Sequence, residues 1–172
     1  MTSERDMLDR LNTRYGKFSG NGVRYTRAEH VKITTGFDSR RIADYIAVDL
    51  YNEPGGGPTV HGHEIKVSRG DWLTELRDPT KAQQFAQYCD YWWLVVSDKD
   101  IVKPGELPQN WGLMVASGQT VRVLTQAPKN LTVQPMPRSL QATLTRAVMK
   151  TTLRLAAKHD PAVQFVQNHL NL

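Results

Sequence analysis

Cysteine is almost missing from this chain: Cys89 stands alone among 172 residues. A single thiol excludes an intramolecular disulfide framework and fits a reducing compartment. It lies in an aromatic-rich run, the surroundings of a buried structural thiol more than of a nucleophile. Long apolar runs are missing as well. No stretch approaches the ~20 residues of a membrane-spanning helix, and no basic segment leading into an apolar one opens the chain. The expected protein is therefore soluble, intracellular and cytoplasmic, with no membrane partner. Internal repeats and interdomain linkers are absent too, so the chain reads as a single domain, residues 1–172, long enough to bury a sizeable core.

What is present argues for a folded protein with a mild basic bias. Four Trp, six Tyr and an apolar fraction of 40% leave disorder only to the ends. The 22 Lys and Arg outnumber the 17 Asp and Glu, for a net charge of +5 and a pI near 9.4. That balance suits a polyanionic partner such as DNA without requiring one.

Along the chain, Ser3 with Asp6 caps a helix carrying Met7, Leu8, Leu11 and Tyr15, which Gly16 stops. Residues 16–22 read as a loop and 23–34 as a strand with Val23, Tyr25, Val31 and Ile33 in phase. Glu29 shares that phase, and is either an auxiliary acid reaching a metal site or a strand-end residue near Arg27. A turn at 36–40 leads to a strand over 41–50, a glycine-rich connection over 52–59 and a strand over 60–67, expected to pair antiparallel. Asp71 caps a short helical turn. Asp78, with Pro79 at the first position, caps a second helix bearing Lys81, Gln84 and Tyr88 on one face. The run 91–96 is apolar throughout, as in a strand buried on both faces. Strands at 111–116 and 120–125 follow, then a proline-rich connection over 127–137 and a long helix over 139–158. Its apolar stripe, Leu140, Leu144, Ala147, Val148 and Leu155, is flanked by a basic ridge of Arg146, Lys150, Arg154 and Lys158. That ridge fits a nucleic-acid backbone or a solvated helix face.

The chemistry concentrates in two of these strands. Side chains alternate along a strand, so Glu64 and Lys66 share one face while His63 and Ile65 take the other. Asp44 falls on one face of its own strand with Ile42, Ile46 and Val48, where an acid is costly unless paired or bound to a cation. With the strands adjacent, Asp44, Glu64 and Lys66 converge. Two carboxylates there suit a hard divalent ion such as Mg²⁺, and Lys66 is placed to orient water and stabilise charge on a phosphate. The His61–His63 pair lies on the opposite face. Without further ligands at suitable spacing, packing or a peripheral DNA contact is the expectation rather than zinc.

The order helix, strand, Asp44 strand, Glu64-x-Lys66 strand, helix and strand resembles the PD-(D/E)XK nuclease superfamily. Gln84-Phe85-Ala86-Gln87-Tyr88 fits the Q-h-x-x-Y motif of its RecB-like branch. Arg41 to Asp44, Glu64 to Lys66, Tyr88 to Tyr91 and the Leu107 to Leu113 segment look like the MmcB-like DNA repair proteins, over roughly residues 25–158. The resemblance implies an α/β, restriction-endonuclease-like core: a mixed central sheet flanked by helices, with a long C-terminal helix. It also implies Mg²⁺ or Mn²⁺ held by Asp44, Glu64 and the Ile65 main-chain carbonyl, with Lys66 as catalytic lysine and Gln84 and Tyr88 supporting the substrate; Lys81, on their helix face, and Glu29, as auxiliary acid, join them as candidates from the residue pattern alone. Two departures stand out: no proline precedes Asp44, and residues 51–59 insert a glycine-rich loop between the acidic strands.

The leading reading is a metal-dependent deoxyribonuclease in DNA repair, recombination or processing, with Arg146, Lys150 and Arg154 contacting DNA. A DNA-binding module that keeps the fold without cutting is the second. A third treats Glu64 and Lys66 as a surface ion pair in an unrelated protein, worth at most ~1 kcal/mol. Oligomeric state stays open, a homodimer included, and the four Trp residues read as core more than as stacking platforms.

Overall fold

A computed structural model describes residues 2–20, 22–34, 41–51, 57–78 and 80–170. The expected turn at 36–40, most of the glycine-rich connection and Pro79 lie outside the described residues. The elements run α1 (Glu4–Tyr15), β1 (Phe18–Ser19), β2 (Gly22–Val23), β3 (Tyr25–Lys32), β4 (Ile42–Asp49), β5 (Thr59–Lys66), α2 (Arg69–Arg77), α3 (Thr80–Ala86), β6 (Tyr91–Val96), β7 (Gly112–Ser117), β8 (Thr120–Thr125), α4 (Arg138–Ala157) and α5 (Pro161–Leu170). A single 3₁₀ turn, Lys99–Ile101, separates β6 from β7.

Strands β3 to β8 form one six-stranded sheet in chain order. The pairs β3–β4, β4–β5 and β7–β8 are antiparallel, and β5–β6 and β6–β7 are parallel. The result is the mixed, helix-flanked α/β sheet with a long C-terminal helix that the sequence leads one to expect. Among the described residues no helix is long and apolar enough to cross a membrane.

Helices cover both faces, each bringing an apolar stripe to the sheet. On one face lies α1, begun by the expected capping box: Ser3 Oγ accepts from the Asp6 N–H at 3.2 Å, and the Asp6 carboxylate accepts from the Ser3 N–H at 2.8 Å. Its Met7, Leu8, Leu11 and Tyr15 pack on Tyr45, Ile65, Trp93 and Met114. Trp72 of α2, Phe85 of α3 and Leu140 of α4 pack on the other face against Ile46, Trp92 and Leu94. β6 is therefore buried on both sides, and its two tryptophans point opposite ways.

Space for those rings comes from two glycines. Gly62 pairs with Trp92, and a Cβ there would meet the indole at 2.3 Å. Gly112 pairs with Trp93, and a Cβ there would meet that ring at 2.4 Å. In strand interiors, such glycines mark close approach rather than bends.

Four details depart from expectation. The expected loop over 16–22 carries β1 and the start of β2, and the strand expected over 23–34 is reduced to β3 after the end of β2 at Val23, with His30 in the left-handed region at φ 51°. Ser68, not Asp71, caps α2, its Oγ accepting from the Asp71 N–H at 3.1 Å. Helix α3 ends at Ala86, so Tyr88 lies beyond it. Finally, α5 follows α4, begun by Asp160, whose carboxylate accepts from the N–H groups of Ala162 and Val163 and is paired with buried Arg27 at 2.8 Å.

Gly62→Ala must displace the Trp92 ring. We expect it to cost about 1–3 kcal/mol, as core overpacking does, read as a lower urea midpoint at unchanged slope.

Candidate active site

The β5 alternation sends His63 and Ile65 to the α1 face and Glu64 and Lys66 to the α2–α3 face. Glu64 and Lys66 are not a surface pair. Their side chains are only 13% and 14% exposed, and Lys66 Nζ lies 2.6 Å from Glu64 Oε1 and 3.0 Å from Glu75 Oε2. Glu75 was not singled out from the sequence. Its signal was there: it stands three residues after Trp72 on α2, so docking the indole carries the carboxylate inward with it. One of its oxygens, Oε1, is buried without a hydrogen-bond partner.

Asp44 approaches from β4. The ladder pairs Tyr45 with His63, and one step on in the same register Asp44 faces Glu64. Asp44 Oδ2 accepts from the Ile65 N–H at 2.8 Å, closing the end of the strand pair with a side chain. Burial raises the Asp44 carboxyl above its ordinary range against the Ile65 hydrogen bond and the Lys66 charge. Burial, followed by the charge of Asp44, raises Glu64. Burial also disfavours the Lys66 ammonium, but Glu64 and Glu75 outweigh it and hold the ammonium above its usual range. Glu64 and Glu75 line a cleft of about 250 Å³ whose walls also include Arg41, Lys81 and Trp92.

Not every expected residue arrives there. Lys81 lines the cleft, while Gln84 and Tyr88 do not, and Tyr88 packs against the core. Glu29 is also elsewhere. The left-handed His30 breaks the strand's alternation, so Val31 packs in the α4 layer with Ala28 while Glu29 lies beside Tyr45 on the α1 side. There its carboxylate accepts from Arg5 at 2.6 Å, from Asn12 at 2.6 Å and from Arg154. These hydrogen bonds, led by that of Arg5, hold it below the usual carboxylate range against the effect of burial.

The basic ridge divides in the same way. Arg146, Lys150 and Arg154 line a groove of about 330 Å³ between α4 and β3. Arg154 is committed to Glu29 and to Asp9 at 3.3 Å, and Lys158 to Asp9 at 3.1 Å. Lys32, not anticipated from the sequence, lines the groove too. Among the described residues Lys32, Arg146 and Lys150 have no carboxylate partner. The groove reaches His30, which stands opposite Asp44 between the pairs Glu29–Tyr45 and Val31–Ala43.

The remaining candidates are structural. His63 Nε2 lies 2.8 Å from the Tyr15 hydroxyl, and His61 accepts from the Trp93 indole at 3.3 Å and stacks on Tyr91. Burial lowers both imidazoles, His61 to about 4. Cys89 is buried, and burial raises its thiol. Among the described residues no three His, Cys, Asp or Glu side chains are already gathered closely enough to hold an ion.

The pH dependence of stability follows from the two raised carboxyls. Each binds its proton more tightly in the folded chain than in the unfolded one, so their contribution is complete below the ordinary carboxyl range, about pH 4, and is lost as pH rises through neutrality. We expect Glu64→Gln to flatten the fall in stability between pH 5 and 8, measured by thermal unfolding at fixed ionic strength.

No protein-family model and no curated protein match the sequence. A solved structure, the SPO1766 protein of unknown function from Silicibacter pomeroyi, is similar to it at 21% identity, with 91% of this chain and 89% of that chain covered and a TM-score of 0.54. At that identity the likeness is one of fold alone.

Proposed function

We propose that the chain is a metal-dependent deoxyribonuclease that hydrolyses DNA phosphodiester bonds. The observation that carries this reading is the buried Glu64–Lys66–Glu75 cluster, with Asp44 beside it on β4 and its two glutamates lining a cleft. A decorative ion pair would sit in solvent, whereas this one is desolvated, an arrangement that costs stability unless something is gained by it. The residues fit Mg²⁺ or Mn²⁺: two carboxyls raised by burial, Glu64 further by the charge of Asp44, and a third with an unpartnered buried oxygen, leave hard oxygen donors short of positive charge. Asp44 and Glu64 would hold the ion with the Ile65 carbonyl. When bound, it would supply Lewis acidity at a phosphate oxygen and make water acidic enough to attack.

The chain's own groups do the rest. Glu64 and Glu75 keep Lys66 protonated and fix its ammonium, which donates to the oxygen that gains charge as the phosphodiester is attacked. Asp44 is aimed by the Ile65 N–H. Lys32, Arg146 and Lys150 position the phosphate backbone, contacts that orient without reading sequence. A role in DNA repair, recombination or processing comes from the family resemblance, and the buried thiol accords with a reducing, cytoplasmic setting.

Purified protein is expected to cut labelled DNA with Mg²⁺ or Mn²⁺ and not with EDTA, and Glu64→Ala or Lys66→Ala to lower the rate about a hundredfold or more. Mg²⁺ should raise the melting temperature of the wild type more at pH 8 than at pH 5, because ligand carboxylates must lose their protons. Tight DNA binding without cleavage under any metal would replace the enzyme with a binding module.

A further inference from the structure

We infer that a second cleft, on the other side of α3 from Glu64, is a pocket for unpaired nucleobases of the strand being cut. The inference rests on the deoxyribonuclease reading and names the form of its substrate. The cleft measures about 710 Å³. Its walls carry six amide side chains, those of Gln83, Gln87, Gln109, Asn110, Asn130 and Gln134. Helix α3 divides it from the active site: Ala82 and Phe85 line the acidic cleft, and Gln83, Ala86 and Gln87 line this one. Trp92 lines both. Its indole N–H is buried and has no acceptor, a state that in native proteins is generally met by water or ligand.

The lining has the wrong chemistry for phosphate and the right chemistry for a base. Charged contacts to phosphate draw on Lys and Arg, and these gather outside this cleft, Lys32, Arg146 and Lys150 in the groove beside α4 and Arg41 and Lys81 in the acidic cleft. Here the charges are Lys129 and Asp90, and Asp90 is committed to the Val60 N–H at 2.8 Å. A carboxamide offers a donor and an acceptor in one plane, the arrangement that pairs with a base edge. The side-chain amides of Gln83, Gln109 and Asn110 have no hydrogen-bond partner among the described residues. Leu131, 88% exposed on the same wall, offers apolar surface to the face of a ring.

The walls are also held in place. The Asn130 N–H donates to Asp90 O at 2.8 Å, Asn130 Nδ2 to Cys89 O at 3.2 Å and the Gln134 N–H to Gln87 O at 2.8 Å. These bonds strap the proline-rich connection to the α3–β6 turn. Bases in a duplex have their Watson–Crick edges occupied, so a pocket that reads those edges selects single-stranded segments.

Binding in EDTA tests this apart from catalysis. The probes are a labelled single strand of roughly 12 mixed-sequence nucleotides, its blunt duplex, and the same strand with abasic sites, measured by fluorescence anisotropy against wild type and the Gln83→Ala/Asn110→Ala variant, both exposed and unpartnered positions. The single strand should bind about tenfold tighter than the duplex or the abasic strand, and the variant should lose that advantage while binding the abasic strand as before. Equal affinity for all three probes, or a variant that binds like wild type, overturns the pocket. Should Mg²⁺-dependent cleavage persist in that case, the nuclease reading survives the pocket. Base-dependent binding without cleavage leaves the pocket standing and removes the enzyme, and no binding to any probe removes both.

Discussion

A lysine ammonium held between two buried carboxylates is the interaction on which the rest of this structure depends. Lys66 touches Glu64 from its own strand and Glu75 from α2, and all three side chains are nearly out of solvent. Removing the lysine would leave two buried acids without their counter-charge in a place where water is scarce. The contact therefore sets the phase of β5, since a slip of one residue would send Lys66 to the α1 face, and it sets the docking of α2, since Trp72 and Glu75 enter the core together. Once β5 is placed, antiparallel pairing with β4 brings Asp44 opposite Glu64.

The same accounting of paired and unpaired charge explains the basic surface. Much of the positive charge is spent inside the fold: Arg5 and Arg154 on Glu29, Arg24 on Asp49, Arg27 on Asp160 and Arg69 on Glu106. Glu29, which lines the groove beside Arg154, pairs with that guanidinium and leaves Arg146, Lys150 and Lys32 as the cations there without a carboxylate partner among the described residues. On the proposed reading, the position of these cations, more than a net charge of +5, is what a polyanion would meet.

The two clefts flanking α3 owe their shape to tryptophans that glycine admits. Gly62 lets the Trp92 ring lie against β5, and that ring then forms the boundary between the acidic cleft and the amide-lined one. Trp93 lies over Gly112 on the opposite face, in the α1-side core. None of the four tryptophans is free to stack on a ligand, as all are buried. On the proposed reading, recognition therefore falls to amides and cations rather than to aromatic platforms.

The sequence by itself determined most elements and the heart of the site. Local signals were enough for α1, whose capping box and apolar spacing are complete within fifteen residues, and for β6, whose unbroken apolar run has one sensible burial. Period-two alternation likewise sufficed to separate Glu64 and Lys66 from His63, and strand adjacency to bring Asp44 to them. Tertiary structure alone decided the partners that come from elsewhere in the chain. One backbone angle at His30 put Val31 on the opposite face from Glu29, and the docking of α2 delivered Glu75 to Lys66. Competition from Glu29 took Arg154 out of the free ridge, and a helix ending at Ala86 left Tyr88 to the core. The division has one physical cause: alternation and capping act over a few residues and are written locally, whereas a buried charge finds its counter-charge only after distant elements have packed.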